Sequence, residues 1–381
     1  MTNAIIPLLG GITTMSKPKY LSYKTVDKII NDNALHYLLM IGQRSNGKSY
    51  SAKELVLRHA FKNDRQFTYL RRHKEDIQDY MILEYFADML QPNDKGRNKI
   101  QIITRDTFNT ITIYKKGIYF ASQDEEGKIL NKTQIGYAHA LSGLEGLKSR
   151  QFPLVDYTLF EEFIATNLYL WDECNKMQQY SSTIYRNRPG CVIMIGNSIS
   201  RIVPYFTEWQ LDNIPRMAPG TFDLYKFTTN GTETRIGVFL CESLQSNSGM
   251  FFGQAAKMIV GGEWERSEQP RPADDIEHYE TIYTIVFAFS ETAKYLMTLV
   301  RARDDHTKMF WYVEPKTSEI KPGTRVVCPT FNENALYTMD FTPITEKERV
   351  PMEYIKRGKI AFSDNLTGTE FKRCVEQLRK R

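Results

Sequence analysis

Residues 42–50, "GQRSNGKSY", form the stretch of this chain best suited to hold a phosphate. Gly42, Gly47, Lys48 and Ser49 stand at the P-loop spacing G-x-x-x-x-G-K-[ST]. In such a loop the backbone N–H groups and the start of a helix point at phosphate oxygens. The glycines permit the tight turn and the close approach of the ligand. Lys48 supplies a point charge for the outer phosphates, and Ser49 a hydroxyl for Mg²⁺. Arg44 lies inside the loop and Tyr50 directly follows it, so both are grouped with the ATP-binding residues.

Hydrolysis needs two further groups, an acid for the metal shell and one that orients the attacking water. "YTLFEEF" places Glu161 and Glu162 at the end of an apolar run. Glu161 is expected to act through metal-bound water and Glu162 as general base. Asn197, at the tip of "CVIMIGN", could hold the water or sense the γ-phosphate, although asparagine is also a common turn residue. Cations for the transition state are available at Arg44, at Arg71, Arg72 and Lys74, and at Arg186 and Arg188 in "YRNRPG". Any of them could equally cover a surface or a helix end.

These side chains need a scaffold, and the first half of the chain reads as one. The apolar run 35–41 suits a strand covered on both faces. Residues 48–61 repeat apolar positions at helical spacing, 66–72 read as a second strand and 73–90 as a helix. Two short β runs, 111–114 and 118–121, flank a turn at Lys115–Gly117. The acidic strand, a helix over 173–188 and the strand 191–197 follow. Such alternation predicts an α/β fold, a P-loop NTPase parallel sheet with helices on both faces, over residues 1–206. Residues 207–272 are turn-rich and read as a small linker unit containing a helix at 254–260. Three β-rich runs and a basic helix-like tail fill 273–381.

Composition agrees with two or three soluble domains: 381 residues, 41% hydrophobic, 25% charged, with a net charge of +5. The basic balance is compatible with nucleic acid without requiring it. The five cysteines form no CxxC pair, which argues against a zinc site and for reduced, core-filling thiols. The apolar patch at Ile5–Leu9 reads as a flexible or docking arm, and no run has the length of a membrane helix, so no membrane partner is expected.

Taken together, "GQRSNGKSY", "QFTYLRRHK", "FPLVDYTLFEEF" and "IYRNRPGCVIMIGNSISRIVPYF" resemble, in order and spacing, the DNA-packaging ATPases of phi-29-like tailed phages. The resemblance is strongest over 20–206 and continues faintly through the C-terminal third. It implies an ASCE-type ring motor, normally a pentamer, that uses ATP and Mg²⁺ to drive double-stranded viral DNA through a portal protein into a procapsid. That would place it in the host cytoplasm at the portal vertex. Whether a packaging RNA mediates the portal contact stays open. By position in the matching motifs, Arg186 would be a finger acting on the neighbour's ATP, Lys148 a second residue acting across the interface, and Lys74 a residue closing over the nucleotide. In one respect the chain departs from the family: the metal acid is usually aspartate, whereas Glu161 is one methylene longer. Other oligomeric P-loop DNA translocases share the same motifs and remain an alternative.

The β-rich C-terminal part resembles the RNase H-like domain that large terminases use as a nuclease. Two-metal cleavage needs several converging carboxylates. "YTIVFAF" carries no acid, while Glu291, Asp304 and Asp305 fall in turns and Glu314 ends the third run. A vestigial domain that binds nucleic acid or portal is therefore expected, with a terminase-like motor bearing an active nuclease as the alternative. Basic candidates for DNA backbone contact are Lys115 and Lys116, and Lys356, Arg357, Lys359, Lys372, Arg373, Arg379, Lys380 and Arg381.

Overall fold

The computed structural model describes residues 4–6, 20–43, 46–165, 169–170, 172–197, 203–229, 231–242, 268–290, 293–316 and 320–378. They fall into two compact units, one drawn from 1–199 and 213–263, the other from 200–212 and 264–381.

The first unit is built on strands β1 (Ala4–Ile6), β2 (Tyr37–Gly42), β3 (Gln66–Arg71), β4 (Thr110–Tyr114), β5 (Gly117–Gln123), β6 (Ile129–Ala140), β7 (Val155–Glu161), β8 (Cys191–Asn197), β9 (Thr221–Thr229) and β10 (Thr232–Leu240). Their order among the described residues is β1-β9-β10-β2-β8-β7-β3-β6-β5-β4. The run from β10 to β6 is parallel. The hairpin partners β9 and β1 on one side, and β5 and β4 on the other, are antiparallel. β2 is buried at every residue, and β8 at every residue except Asn197. Such continuous burial is what a strand covered on both faces requires. Helix α1 (Tyr23–Asn33) is capped by the Ser22 hydroxyl and buries Val26, Ile29 and Ile30. Helix α2 (Lys48–Asn63) lays Ala52, Leu55, Val56 and Ala60 into the same core.

Two expectations are revised. The linker unit expected over 207–272 is divided between the two compact units. Its residues 221–240 form β9 and β10, and β10 pairs in parallel with the P-loop strand β2. Asn230–Gly231 in the sequence is a hairpin signal that could have revealed this. Residues 268–272 belong with the second unit, where the Gln269 amide donates to Asn365 Oδ1 at 3.2 Å. The helix proposed at 254–260 lies outside the described residues. The single helix expected over 73–90 is broken into a 3-10 turn (Lys74–Ile77), helix α3 (Asp79–Tyr85) and a second turn (Ala87–Met89). Gln78 is extended (φ −67°, ψ 148°), and the Tyr85 carbonyl at the end of α3 is taken by Lys53 Nζ at 2.7 Å. The arm at the start of the chain docks as expected where it is described: Ala4–Ile6 pairs with β9.

In the second unit, β11 (Tyr279–Ala288), β12 (Lys294–Ala302) and β13 (Met309–Pro315) form the expected antiparallel meander. Short strands β14 (Arg325–Val327), β15 (Tyr337–Thr338) and β16 (Ile360–Phe362) add in parallel at its edges. Phe287, Trp311, Val313, Phe362 and Phe371 make its core. The buried guanidinium of Arg325 ties this sheet to the 340–348 segment through Glu348 (2.7 Å) and the Thr342 carbonyl (2.7 Å). All five cysteines are buried and none forms a disulfide. No helix among the described residues is long and apolar enough to cross a membrane.

Candidate active site

The P-loop turns out of β2 and closes at Gly47, which caps α2 with φ +87°. A Cβ there would come within 3.2 Å of the Leu21 amide and Tyr20 Cβ, so glycine is required both by angle and by space. The Leu21 amide in turn donates to the Asn46 carbonyl at 3.1 Å, bracing the loop from outside. Lys48 is buried at the centre of the turn. Its ammonium donates to the carbonyls of Gly42 (3.0 Å) and Gln43 (2.5 Å) and to Asn46 Oδ1 (3.0 Å). A buried ammonium needs such partners, and the loop is wound around it. Arg44 lies outside the described residues. The Tyr50 ring is partly buried, with the Lys99 ammonium 5.4 Å from its centroid.

Glu161 and Glu162 end β7 and diverge. Glu161 is buried, and one carboxylate oxygen accepts the Ser49 hydroxyl at 3.3 Å. The other accepts the Tyr85 hydroxyl at 2.7 Å. Burial pushes the Glu161 carboxyl above its usual range, while those two hydroxyls and the charges of Lys53 and Arg71 oppose the rise. Glu162 takes a left-handed backbone angle, φ +56°, which swings its side chain to 60% exposure. A non-glycine residue held there costs about 1–2 kcal/mol. Two arginines at the end of β3 secure it: Arg71 donates to its carboxylate at 2.8 Å, and Arg72 to its carbonyl at 3.1 Å. Arg72 also grips the buried Glu173 with two bonds, 2.8 and 3.0 Å, and the Phe163 carbonyl at 2.9 Å.

The acid strand β7 is not the direct neighbour of the P-loop strand β2. β8 is inserted between them, with Asn197 level with Gly42 and two residues beyond Ile195, the partner of Glu161. Asn197 therefore stands at the strand tip between loop and acids. The pairing of Ser49 with Glu161 fits the donor set Mg²⁺ uses, one hydroxyl and one carboxylate completed by water and phosphate oxygens. Among the described residues no group of three or more His, Cys, Asp or Glu gathers to hold a metal alone.

A protein-family profile, the podovirus DNA encapsidation protein (Gp16), matches residues 17–229, more than half of the chain. The chain belongs to this family. The DNA packaging protein of Bacillus phage B103 is 30% identical over 189 residues, covering 49% of each chain. That of Bacillus phage phi29 is 29% identical over 197 residues, covering 51% of this chain and 49% of its own. The matched region thus spans about half the length of these curated relatives. Among solved structures, the bacteriophage phi-29 genome packaging motor assembly aligns with a TM-score of 0.49 and 19% identity, over 93% of this chain and 98% of that one.

In this encapsidation-family chain the two residues expected to act across an interface lie side by side. Arg186, exposed at the left-handed end of helix α4 (Glu173–Tyr185), donates to the carbonyls of Lys148 (3.2 Å) and Arg150 (2.9 Å). Lys148 is exposed and paired with Glu145 at 2.6 Å. Both sit where β7 and β8 begin, whereas the P-loop and acids sit where those strands end. Seven residues of β7 separate the two ends, roughly 20 Å at ~3.3 Å per residue. Arg188 is used internally, donating to the carbonyls of Phe152 (2.7 Å), Ile184 (3.1 Å) and Val155 (3.3 Å). Lys74 is at the P-loop end, where its Cε would lie 3.0 Å from a Cβ placed on Gly143.

Sequence reading missed the support behind Glu161. Lys53 is buried in α2, holds Asp88 at 2.6 Å and places its ammonium 4.5 Å from the Tyr85 ring centroid. A signal was present: Lys53 and Glu54 interrupt an apolar helix face. Among the described residues of the second unit the expected acids form no metal-holding group. Glu280 of β11 pairs with Arg301, Asp305 accepts from the Thr307 amide at 3.0 Å, and Glu314 lies opposite Leu296. Asp304 is exposed, and Glu291 lies outside the described residues. Of the basic candidates, Lys115 and Lys116 form a two-residue hairpin turn with φ 48° and 65°. Lys356, Arg357, Lys359 and Lys372 are exposed, and Arg379, Lys380 and Arg381 lie outside the described residues.

Proposed function

We propose that this chain is an Mg²⁺-dependent ATPase that packages double-stranded viral DNA into a procapsid. The observation carrying this reading is Ser49 bonded to buried Glu161 beside the P-loop lysine, with Glu162 turned outward on the adjacent residue. Backbone amides of the loop and Lys48 bind the phosphates, and Tyr50 and Lys74 border the nucleotide. Mg²⁺ held by Ser49 and Glu161 would neutralise phosphate charge. Glu162 orients and deprotonates the attacking water, with Asn197 steadying that water from the strand between. Arg186 and Lys148 stand too far from their own P-loop, so they serve the site of a neighbouring copy in a homo-oligomeric ring, a pentamer seated on the portal. DNA is held through its backbone by exposed lysines and arginines, as a sequence-blind translocase requires. The second unit contributes binding without nuclease activity.

Replacing Glu162 by Gln tests the assignment. ATP affinity should be unchanged, and turnover should fall by roughly 10²–10⁴-fold, the contribution of a positioned general base. Wild-type hydrolysis in E162Q would remove Glu162 from this role. Hydrolysis by the native chain that double-stranded DNA does not stimulate would argue against a packaging motor.

A further inference from the structure

Both oxygens of Glu161 receive a hydroxyl, but from different directions. The Ser49 bond, at 3.3 Å, is long for an O–H···O contact, whereas the Tyr85 bond, at 2.7 Å, is at the optimum. Tyr85 comes from a separate element, the last residue of α3. Its ring is fixed on several sides: stacked on Tyr69 with centroids 4.4 Å apart, edge-on to Phe86 at 5.0 Å, and under the Lys53 ammonium. The same ammonium holds the Tyr85 carbonyl at 2.7 Å and is anchored by both oxygens of Asp88. The phenol therefore has little freedom to follow the carboxylate; the carboxylate must come to it.

A glutamate has one more rotatable bond than an aspartate, and its head group can fold in more than one direction. With Oε1 fastened to the phenol, Oε2 is left facing Ser49. We propose that Tyr85 is a positioning residue for the metal acid: its hydroxyl selects the one Glu161 geometry that presents Oε2 beside the P-loop serine. The proposal rests on the reading of Ser49 and Glu161 as the Mg²⁺ pair. It also says why glutamate works here, because the added methylene carries the carboxylate out to the phenol.

The test compares native chain, Tyr85→Phe, Glu161→Asp and the double variant. Each is titrated calorimetrically with adenylyl imidodiphosphate, with and without Mg²⁺. Phenylalanine keeps the stack and the face under Lys53 and removes only the hydroxyl. Y85F should lower the Mg²⁺-assisted affinity by roughly tenfold, the size of one hydrogen bond to a charged group. Its metal-free affinity should stay at the native value. Aspartate withdraws the carboxylate from the phenol, so Y85F should cost nothing further in the E161D background. An equal loss with and without Mg²⁺ would make Tyr85 merely structural. Losses that add in the double variant would show that Tyr85 does not act through Glu161. If Mg²⁺ fails to strengthen binding in the native chain, the Mg²⁺ pair itself is wrong and the proposal falls with it. Native Mg²⁺ dependence that Y85F leaves intact sinks Tyr85 alone.

Discussion

Removing the Arg72 guanidinium should be among the most damaging single changes in the first unit. Its side chain is 8% exposed and that of Glu173 only 1%. The fork makes two bonds to that carboxylate and one each to the carbonyls of Glu162 and Phe163. Arg72→Gln would strip both guanidinium bonds from the buried Glu173 carboxylate, which also accepts the Leu170 amide at 2.8 Å. Breaking a buried pair from one side costs about 3–5 kcal/mol, most of it the stranded charge. Arg72→Lys keeps the charge but replaces a planar fork by a single point donor, and should cost about 1–3 kcal/mol. The double change R72M/E173L removes both charges together and should recover part of the R72Q loss. Because the chain has two units, the assay should be local: hydrogen exchange on peptides covering 155–165, with opening free energies read against urea. An R72Q cost below about 1 kcal/mol, or a double variant no better than R72Q, would refute the claim that this pair anchors the segment around Glu162 and Phe163.

Two further outcomes follow from other contacts. His139 is buried against the Tyr180 hydroxyl (2.9 Å), and burial, aided by Arg150, pushes its pKa down to about 3. Its folded form stays neutral while the unfolded chain takes up a proton below pH ~6.5, so its stabilising contribution is complete above that pH and shrinks as pH falls toward 3. The native chain should lose up to about 1.4 kcal/mol per pH unit through this group, and His139→Gln should show a shallower slope between pH 6 and 4 in urea titrations. For the ring, Arg186→Ala and Glu162→Gln subunits should each be nearly inactive alone, yet mixed rings should regain hydrolysis, because an intact finger then faces an intact base. Mixtures no more active than either parent would place Arg186 outside the trans role.

Much of the first unit was legible because buried parallel strands leave uninterrupted apolar runs, as in Leu38–Ile41 and Val192–Ile195. The P-loop was legible because its residue spacing is fixed by the ligand it holds and because Gly47 answers to a left-handed backbone angle that favours glycine. What escaped were features settled by partners distant in sequence. β9 and β10 carry Asp223, Lys226, Glu233 and Arg235 along half-covered strands, so their polarity read as loop. Likewise the end of α3, where Lys53 takes the Tyr85 carbonyl, is fixed by a residue of α2 thirty-two positions away. Glu161 and Glu162 could be named as a pair from their position, but their divergence depends on one left-handed residue and on two arginines about ninety residues away.

The insertion of β8 between the loop strand and the acid strand has a geometric result. Strands in a sheet are spaced about 4.8 Å apart, so two steps set the P-loop strand β2 and Glu161's strand β7 about 10 Å from each other. That gauge is fixed by main-chain ladders rather than by any side chain at the mouth. Substitutions in the loop or among the acids can change which reaction occurs, while the width on offer stays the same. Asn197 ends the middle strand level with Gly42, so altering it changes a residue between those two strands without moving either of them.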